Sequence, residues 1–124
     1  MTDTLNLSLT LSPSQLSWLT AETAGIPNFN YLEWMLANMA TADTAVNIRG
    51  NIVQLRIGQM NGSVNSCSLH FHRDRAVIRE LYAAMQELGL INIVPMGRVT
   101  TIIELPIVTG WDDAAKPSSP MTDD

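Results

Sequence analysis

Lysine is almost missing from this chain of 124 residues: Lys116 stands alone, and the other basic residues are Arg49, Arg56, Arg73, Arg75, Arg79 and Arg98. Ordinary solvation draws on both cations, so reliance on arginine points to its planar guanidinium, which grips phosphate bidentately and stacks on bases. Cysteine is as scarce. Cys67 is the only one, which excludes an intramolecular disulfide framework and fits a reducing compartment. No apolar run approaches the ~18 residues that span a bilayer, and the N-terminus has neither the basic nor the apolar stretch of a secretory leader. A soluble, cytoplasmic protein without a membrane partner is expected.

Catalytic signatures are missing too. There is no glycine-rich phosphate loop, no nucleophile elbow and, ahead of the acidic tail, no paired-carboxylate cluster, so neither an enzyme nor a cofactor is expected. Aromatic residues make up only 6% of the chain. Phe71 is read as core, Trp18 and Trp34 as packing between the first two helices or at a subunit contact, and Tyr82 and Trp111 as the available stacking platforms. Base stacking cannot then supply the whole of any affinity.

The charges that are present are sorted along the chain. Residues 1–45 carry Asp3, Glu22, Glu33 and Asp43 with no base, a charge of −4. Residues 46–103 carry the six arginines against Asp74, Glu80 and Glu87, a charge of +3. Glu104 and the aspartates of residues 110–124, less Lys116, bring the total to −5. An acidic pI of about 4.8 thus hides a basic centre suited to a polyanion. The length suffices for one domain with its own core, assigned to residues 1–109. Proline, serine, alanine and aspartate then replace the periodic apolar residues and predict a disordered acidic tail, residues 110–124. With 46% hydrophobic and 15% charged residues, the surface is poor in charge, which predicts a homo-oligomer.

Residues 4–10 alternate and place Leu5, Leu7 and Leu9 on one face of a strand. Ser12, Pro13 and Gln15 have capping-box spacing with proline at the first helical position, and Gly25 is expected to close that helix. A second helix follows Pro27 and puts Leu32, Met35, Leu36 and Met39 on one stripe. Residues 53–58 and 65–72 alternate again. They predict a hairpin around Met60-Asn61-Gly62, with Gly62 left-handed, Leu55 opposite Cys67 and Val53 opposite Leu69. Asp74 is set to cap a third helix with Val77, Ile78, Leu81, Met85 and Leu88 inward, Arg75, Arg79, Tyr82 and Gln86 outward, and Gly89 as its stop. Residues 90–94 and 98–108 flank a Pro95-Met96-Gly97 turn and predict a last hairpin. Ile102 makes its final strand apolar on both sides, as a subunit contact would require. The order β-α-α-β-β-α-β-β gives an α+β fold, an antiparallel sheet with helices packed on one face.

The first of these hairpins would gather Arg56, His70 and His72 on one sheet face, continued by Arg73, Arg75 and Arg79. His70 and His72 have a spacing that lets two imidazoles reach one zinc, but a catalytic site wants a third ligand, so no metal is expected. Arg49, Arg56, His70, His72, Arg73, Arg75, Arg79 and Arg98 are the candidate nucleic-acid-binding residues. Alternatively, Arg75 and Arg79 merely solvate an amphipathic helix and pair with Glu80 or Asp74.

With one aromatic and terminal aspartates, the acidic tail resembles the organisation of bacterial and phage single-stranded-DNA-binding proteins. In that family an acidic tip docks partner proteins and competes for the basic groove. The resemblance covers residues 110–124 only; the closing aromatic of the family is missing, and helices open the body where an OB barrel would have strands. It implies a protein partner through the tail and a bacterial or phage setting. The expected function is a small, non-enzymatic, oligomeric nucleic-acid-binding protein with an accessory role in replication or transcription. Single strands are the expected ligand, since no helix-turn-helix recognition helix is evident. The alternative is a protein- or small-ligand-binding module, such as a phage-type inhibitor or adaptor.

Overall fold

A computed structural model describes residues 5–96 and 100–113. Among them the fold is α+β, with helices packed against small antiparallel sheets. The first strand, β1 (Leu5–Leu9), forms where the leucines alternate. After it, the Ser12 hydroxyl accepts from the Gln15 amide at 3.2 Å while the Ser12 amide donates to Gln15 Oε1 at 2.7 Å. This reciprocal cap starts α1 (Pro13–Leu19) with Pro13 in its first turn, where a missing N–H costs nothing. The helix ends before Gly25. Ala24 and Gly25, with φ of 53° and 80°, instead turn between β2 (Glu22–Thr23) and β3 (Ile26–Pro27). Then α2 (Asn28–Asn38) buries Tyr31, Leu32 and Met35. Buried Asn28 is fully used: its backbone N–H donates to Ala21 at 2.9 Å and its side-chain amide to the Trp18 carbonyl at 2.8 Å.

The expected hairpin between residues 53–58 and 65–72 does not form. Instead, β4 (Thr44–Ile48) pairs with β5 (Asn51–Leu55), so that Val46 faces Val53 and Ile48 faces Asn51. Arg49 and Gly50 make the turn with φ of 53° and 83°, the pair of positive angles that suits a two-residue hairpin. The Asn47 side chain braces it by accepting from the Gly50 amide at 2.8 Å. After β6 (Gln59–Asn61), the segment read as the second strand is a helix, α3 (Val64–Phe71), capped by the Ser63 hydroxyl on the Ser66 amide. Cys67 and Phe71 match a strand's alternation but are also four apart, and so share a helix face. Leu69 breaks the tie, being 67% exposed. Gly62 is not left-handed. It lies against β8 (Thr100–Glu104), where its amide donates to the Thr101 carbonyl at 2.7 Å.

The next helix, α4 (Arg75–Glu87), starts after Asp74 as expected, but the Asp74 side chain makes no capping hydrogen bond. It ends in a Schellman motif: the Leu90 amide reaches the Met85 carbonyl at 2.9 Å and the Gly89 amide the Gln86 carbonyl at 3.0 Å, with Gly89 at φ 78°. Tyr82, expected on the outer stripe, is buried. The last expected hairpin is present as β7 (Asn92–Met96) against β8, with Ile93 opposite Ile103, but Pro95 and Met96, expected in its turn, pair with Thr101 and Thr100, and the strand expected to run to Val108 stops at Glu104. Pro95 is tolerated because β7 is an edge strand in the order β6-β8-β7.

Successive residues of β8 serve two cores. Ile103 points into the main one, with Tyr31, Leu32, Met35, Cys67, Ile78, Leu81 and Met85. Ile102 joins a second cluster with Ile48, Val53 and Leu55 of the β4–β5 hairpin. The doubly apolar strand that suggested a subunit contact is therefore covered from within the chain. Finally, β9 (Val108–Asp113) pairs with β1, with Leu7 opposite Trp111 and Leu9 opposite Val108. This ladder runs past Thr109, where composition placed the domain boundary; residues 114–124 lie outside the described residues.

Candidate functional site

An open cleft of about 610 Å³ lies where the β4–β5 turn, β8 and the starts of α3 and α4 meet. Asn61, Thr100 and Thr101 line it from the sheet, Ser63, Asn65 and Ser66 from α3. Arg49 enters from the hairpin turn, Arg75 and Arg79 from α4. All three arginines are exposed, and among the described residues the lining contains no carboxylate. The local sequence explains the placement. Positive φ at Arg49 closes the turn, and the spacing of four between Arg75 and Arg79 stacks them on one helix face.

The electrostatics run in one direction. Neither α3 nor α4 has an acidic residue in its first turn, where the positive end of the helix dipole favours anions. Arg75 opens α4 directly after the N-cap Asp74, whose carboxylate complements the dipole, and Arg79 adds a charge like that of Arg75 one turn on, a pairing that costs about 0.2–0.5 kcal/mol in an isolated helix. An anion in the cleft relieves the repulsion between Arg75 and Arg79.

The other candidate residues are dispersed. Arg56 is exposed and lines a separate depression of about 370 Å³ together with Asp43 and Glu104. Arg73 is structural: its Nε donates to the Ala24 carbonyl at 2.9 Å and its guanidinium NH1 to the carbonyls of Phe71 at 3.3 Å and His72 at 3.0 Å. It thereby ties the C-terminus of α3, where a cation is favoured, to the β2–β3 turn. His72 caps α3 in the left-handed region at φ 55°, and His70 packs on Trp34 with ring centroids 5.6 Å apart. The expected face shared by Arg56, His70 and His72 depended on the hairpin that does not form. Arg98 lies outside the described residues.

Cys67 is fully buried, and burial pushes its thiol up to about 11, which leaves it a poor nucleophile. Tyr82, expected as a stacking platform, lies beside it. Burial raises the Tyr82 pKa well above its ordinary value, the Cys67 thiol beside its hydroxyl adds to the rise, and among the described residues no oxygen or nitrogen atom partners that hydroxyl. Among the described residues no three His, Cys, Asp or Glu side chains come together as metal ligands, and no helix is long and apolar enough to cross a membrane.

Sequence reasoning picked the three cleft arginines but missed the polar floor between them. Its signal is the run Asn61, Gly62, Ser63, Asn65 and Ser66, whose composition fits a hairpin loop and the start of a strand equally well. No protein-family model, curated protein or solved structure matches this chain.

Proposed function

We propose that the cleft binds the phosphates of a nucleic acid, and that the protein is a non-enzymatic single-strand-binding protein. One observation carries this: Arg49, Arg75 and Arg79 converge on a concave surface that has two helix N-termini and no lining carboxylate among the described residues. Guanidiniums and helix N-termini are both suited to phosphate oxygens. Among the described residues the cleft lining offers hydroxyls and amides but no aromatic ring, so it suits the backbone and not the bases. The preference for a single strand is the expectation drawn from the sequence; α3 and α4 are joined by only three residues and α4 exposes Arg75 and Arg79, the spacing of a helix-turn-helix pair, so the duplex is the rival ligand that the test must include.

Fluorescence anisotropy with labelled single-stranded and duplex oligonucleotides, DNA and RNA, tests the proposal. Wild-type protein is expected to bind single strands more tightly than duplex, and Arg79→Ala to weaken binding whatever the base sequence. Oligonucleotides left free at low salt would exclude it.

The size of the cleft favours a second function, capture of a small phosphate-bearing ligand, since about 300–1,000 Å³ is the usual range of small-molecule sites. The same assay separates the two. A mononucleotide that displaces the oligonucleotide at equal concentration supports the small-ligand function; one needed in large excess supports the polymer.

A further inference from the structure

At the far end of α3 lies a second open pocket of about 630 Å³, lined by Asn30, Glu33, Trp34, Ala37, Asn38, His70 and Phe71. Three of these residues carry rings already arranged for stacking. Trp34 and His70 lie 5.6 Å apart with an interplanar angle of only 32°. Phe71 meets His70 edge-on at 4.7 Å and Trp34 at 5.9 Å. Behind them Tyr31 packs on Phe71 at 4.6 Å and is fixed in place by donating from its hydroxyl to the Thr23 carbonyl at 2.9 Å. The rings stand on a rigid base. His70 is exposed, while Trp34 and Phe71 are half-buried.

One face of α3 joins this pocket to the arginine cleft. Asn65, Ser66, Leu69 and His70 are its exposed residues, and their offsets of one, four and five form a single stripe. Ser66 lines the cleft and His70 the ring pocket. They are one helical turn apart, a rise of about 6 Å. A chain whose phosphates sit in the cleft therefore passes Leu69 and reaches the rings within its next nucleotides. Charge sorts the two ends. The cleft has arginines and no lining acid among the described residues, whereas the ring pocket has Glu33 and no arginine. Glu33 disfavours a phosphate there, but its carboxylate and the Asn30 amide suit the polar edge of a base.

Resting on the nucleic-acid function proposed above, we infer that Trp34 and His70 form a base-stacking subsite, which takes a nucleobase of the single strand whose phosphates occupy the arginine cleft. Aromatic and histidine rings stack unpaired bases in many single-strand sites, because every base presents a π-face. The bases of a duplex are stacked on one another and cannot enter, so the subsite supplies the discrimination for single strands that the cleft lacks.

The test compares a labelled oligodeoxynucleotide of about ten nucleotides, within the usual single-strand site size, with an abasic strand of the same length and phosphate count. Four full-length proteins are titrated: wild type, Arg75→Ala, His70→Ala and His70→Phe. Arg75→Ala is expected to weaken both strands. His70→Ala should weaken the normal strand about tenfold and leave the abasic strand unchanged, and His70→Phe should restore binding because it keeps a ring. Tryptophan fluorescence is expected to fall on binding the normal strand only, and Trp34→Phe should remove that change. Wild type binding both strands equally, or His70→Ala weakening both alike, would overturn the subsite while leaving the phosphate cleft standing. Binding of neither strand would overturn both.

Discussion

A Cβ added to Gly62 would lie 2.6 Å from Ile103 Cγ1, 2.9 Å from Ile103 Cδ1 and 3.0 Å from the Thr101 carbonyl oxygen. Only glycine lets the chain entering α3 press so closely on β8, and this contact sets the floor of the arginine cleft. Gly62→Ala should therefore cost about 1–3 kcal/mol, as overpacking does, and lower the melting temperature by several degrees. Thermal denaturation by circular dichroism measures it. A variant melting with the wild type would mean that Ile103 yields freely.

Ile102 is 2% exposed and lies among Ile48, Val53 and Leu55. Ile102→Asp buries an unpaired carboxylate in an apolar cluster, a cost of several kcal/mol, so the variant is expected to unfold or to lose the β4–β5 hairpin from the sheet. Amide hydrogen exchange reads this by region. Protection of Val53 and Leu55 should collapse, whereas subunit dissociation with the fold intact would assign Ile102 to an interface between copies.

That residue shows how far the sequence carries. The apolar run on both faces of β8 is legible, but what covers the second face is not, because β4 has only Val46 and Ile48 to mark it and turns on Arg-Gly in place of the usual Asn-Gly. The caps of α1 and α4 were readable because they are local: Ser12 with Gln15, and Gly89 with its Schellman bonds. For residues 64–71, Cys67 and Phe71 satisfy a period of two and a spacing of four alike, and only tertiary burial decides between them. Arg49, Arg75 and Arg79 were identifiable as cations. Their convergence was not, since it depends on the hairpin. Arg73 could not be told from them, because its three carbonyl partners come from segments as distant as Ala24.

Cys67 should make the fold sensitive to alkali. Burial raises its folded-state pKa to about 11, above its value of about 8.5 in an unfolded chain. Between these values the unfolded state releases a proton that the folded state retains. The thiol's contribution to stability is thus constant below about pH 8.5 and falls as pH rises toward 11, by at most about 1.4 kcal/mol per unit for one proton. Tyr82 and Tyr31, also raised by burial, act in the same sense above pH 10. Urea denaturation at pH 7, 9 and 10 is expected to show the decline, and Cys67→Ala to reduce it between pH 9 and 10. An identical decline in that variant would remove the thiol as its source.

Truncations separate strand from tail. Ending the chain after Asp113 leaves β9 whole and should not change the melting temperature. Ending it after Thr109 removes the partners of Leu5, Asn6, Leu7 and Ser8. With ladder hydrogen bonds worth about 0.5–1.5 kcal/mol each, this should cost a few kcal/mol. Equal melting of the two would show that the β1–β9 ladder contributes nothing measurable beyond Thr109.

The most direct test of the phosphate cleft is the salt dependence of single-strand binding. Each phosphate neutralised contributes about −0.7 to the slope of log K against log salt for a single strand, so Arg49, Arg75 and Arg79 acting together give a slope near about −2. Anisotropy titrations between 50 and 200 mM salt, roughly the range over which such binding changes strongly, should show that slope in the wild type. It should become shallower by about 0.7 in Arg49→Ala, Arg75→Ala and Arg79→Ala alike, with Arg56→Ala unchanged because Arg56 lies outside the cleft. A slope that none of the three substitutions alters, or that Arg56→Ala alters as much, would contradict the assignment of this cleft as the phosphate site.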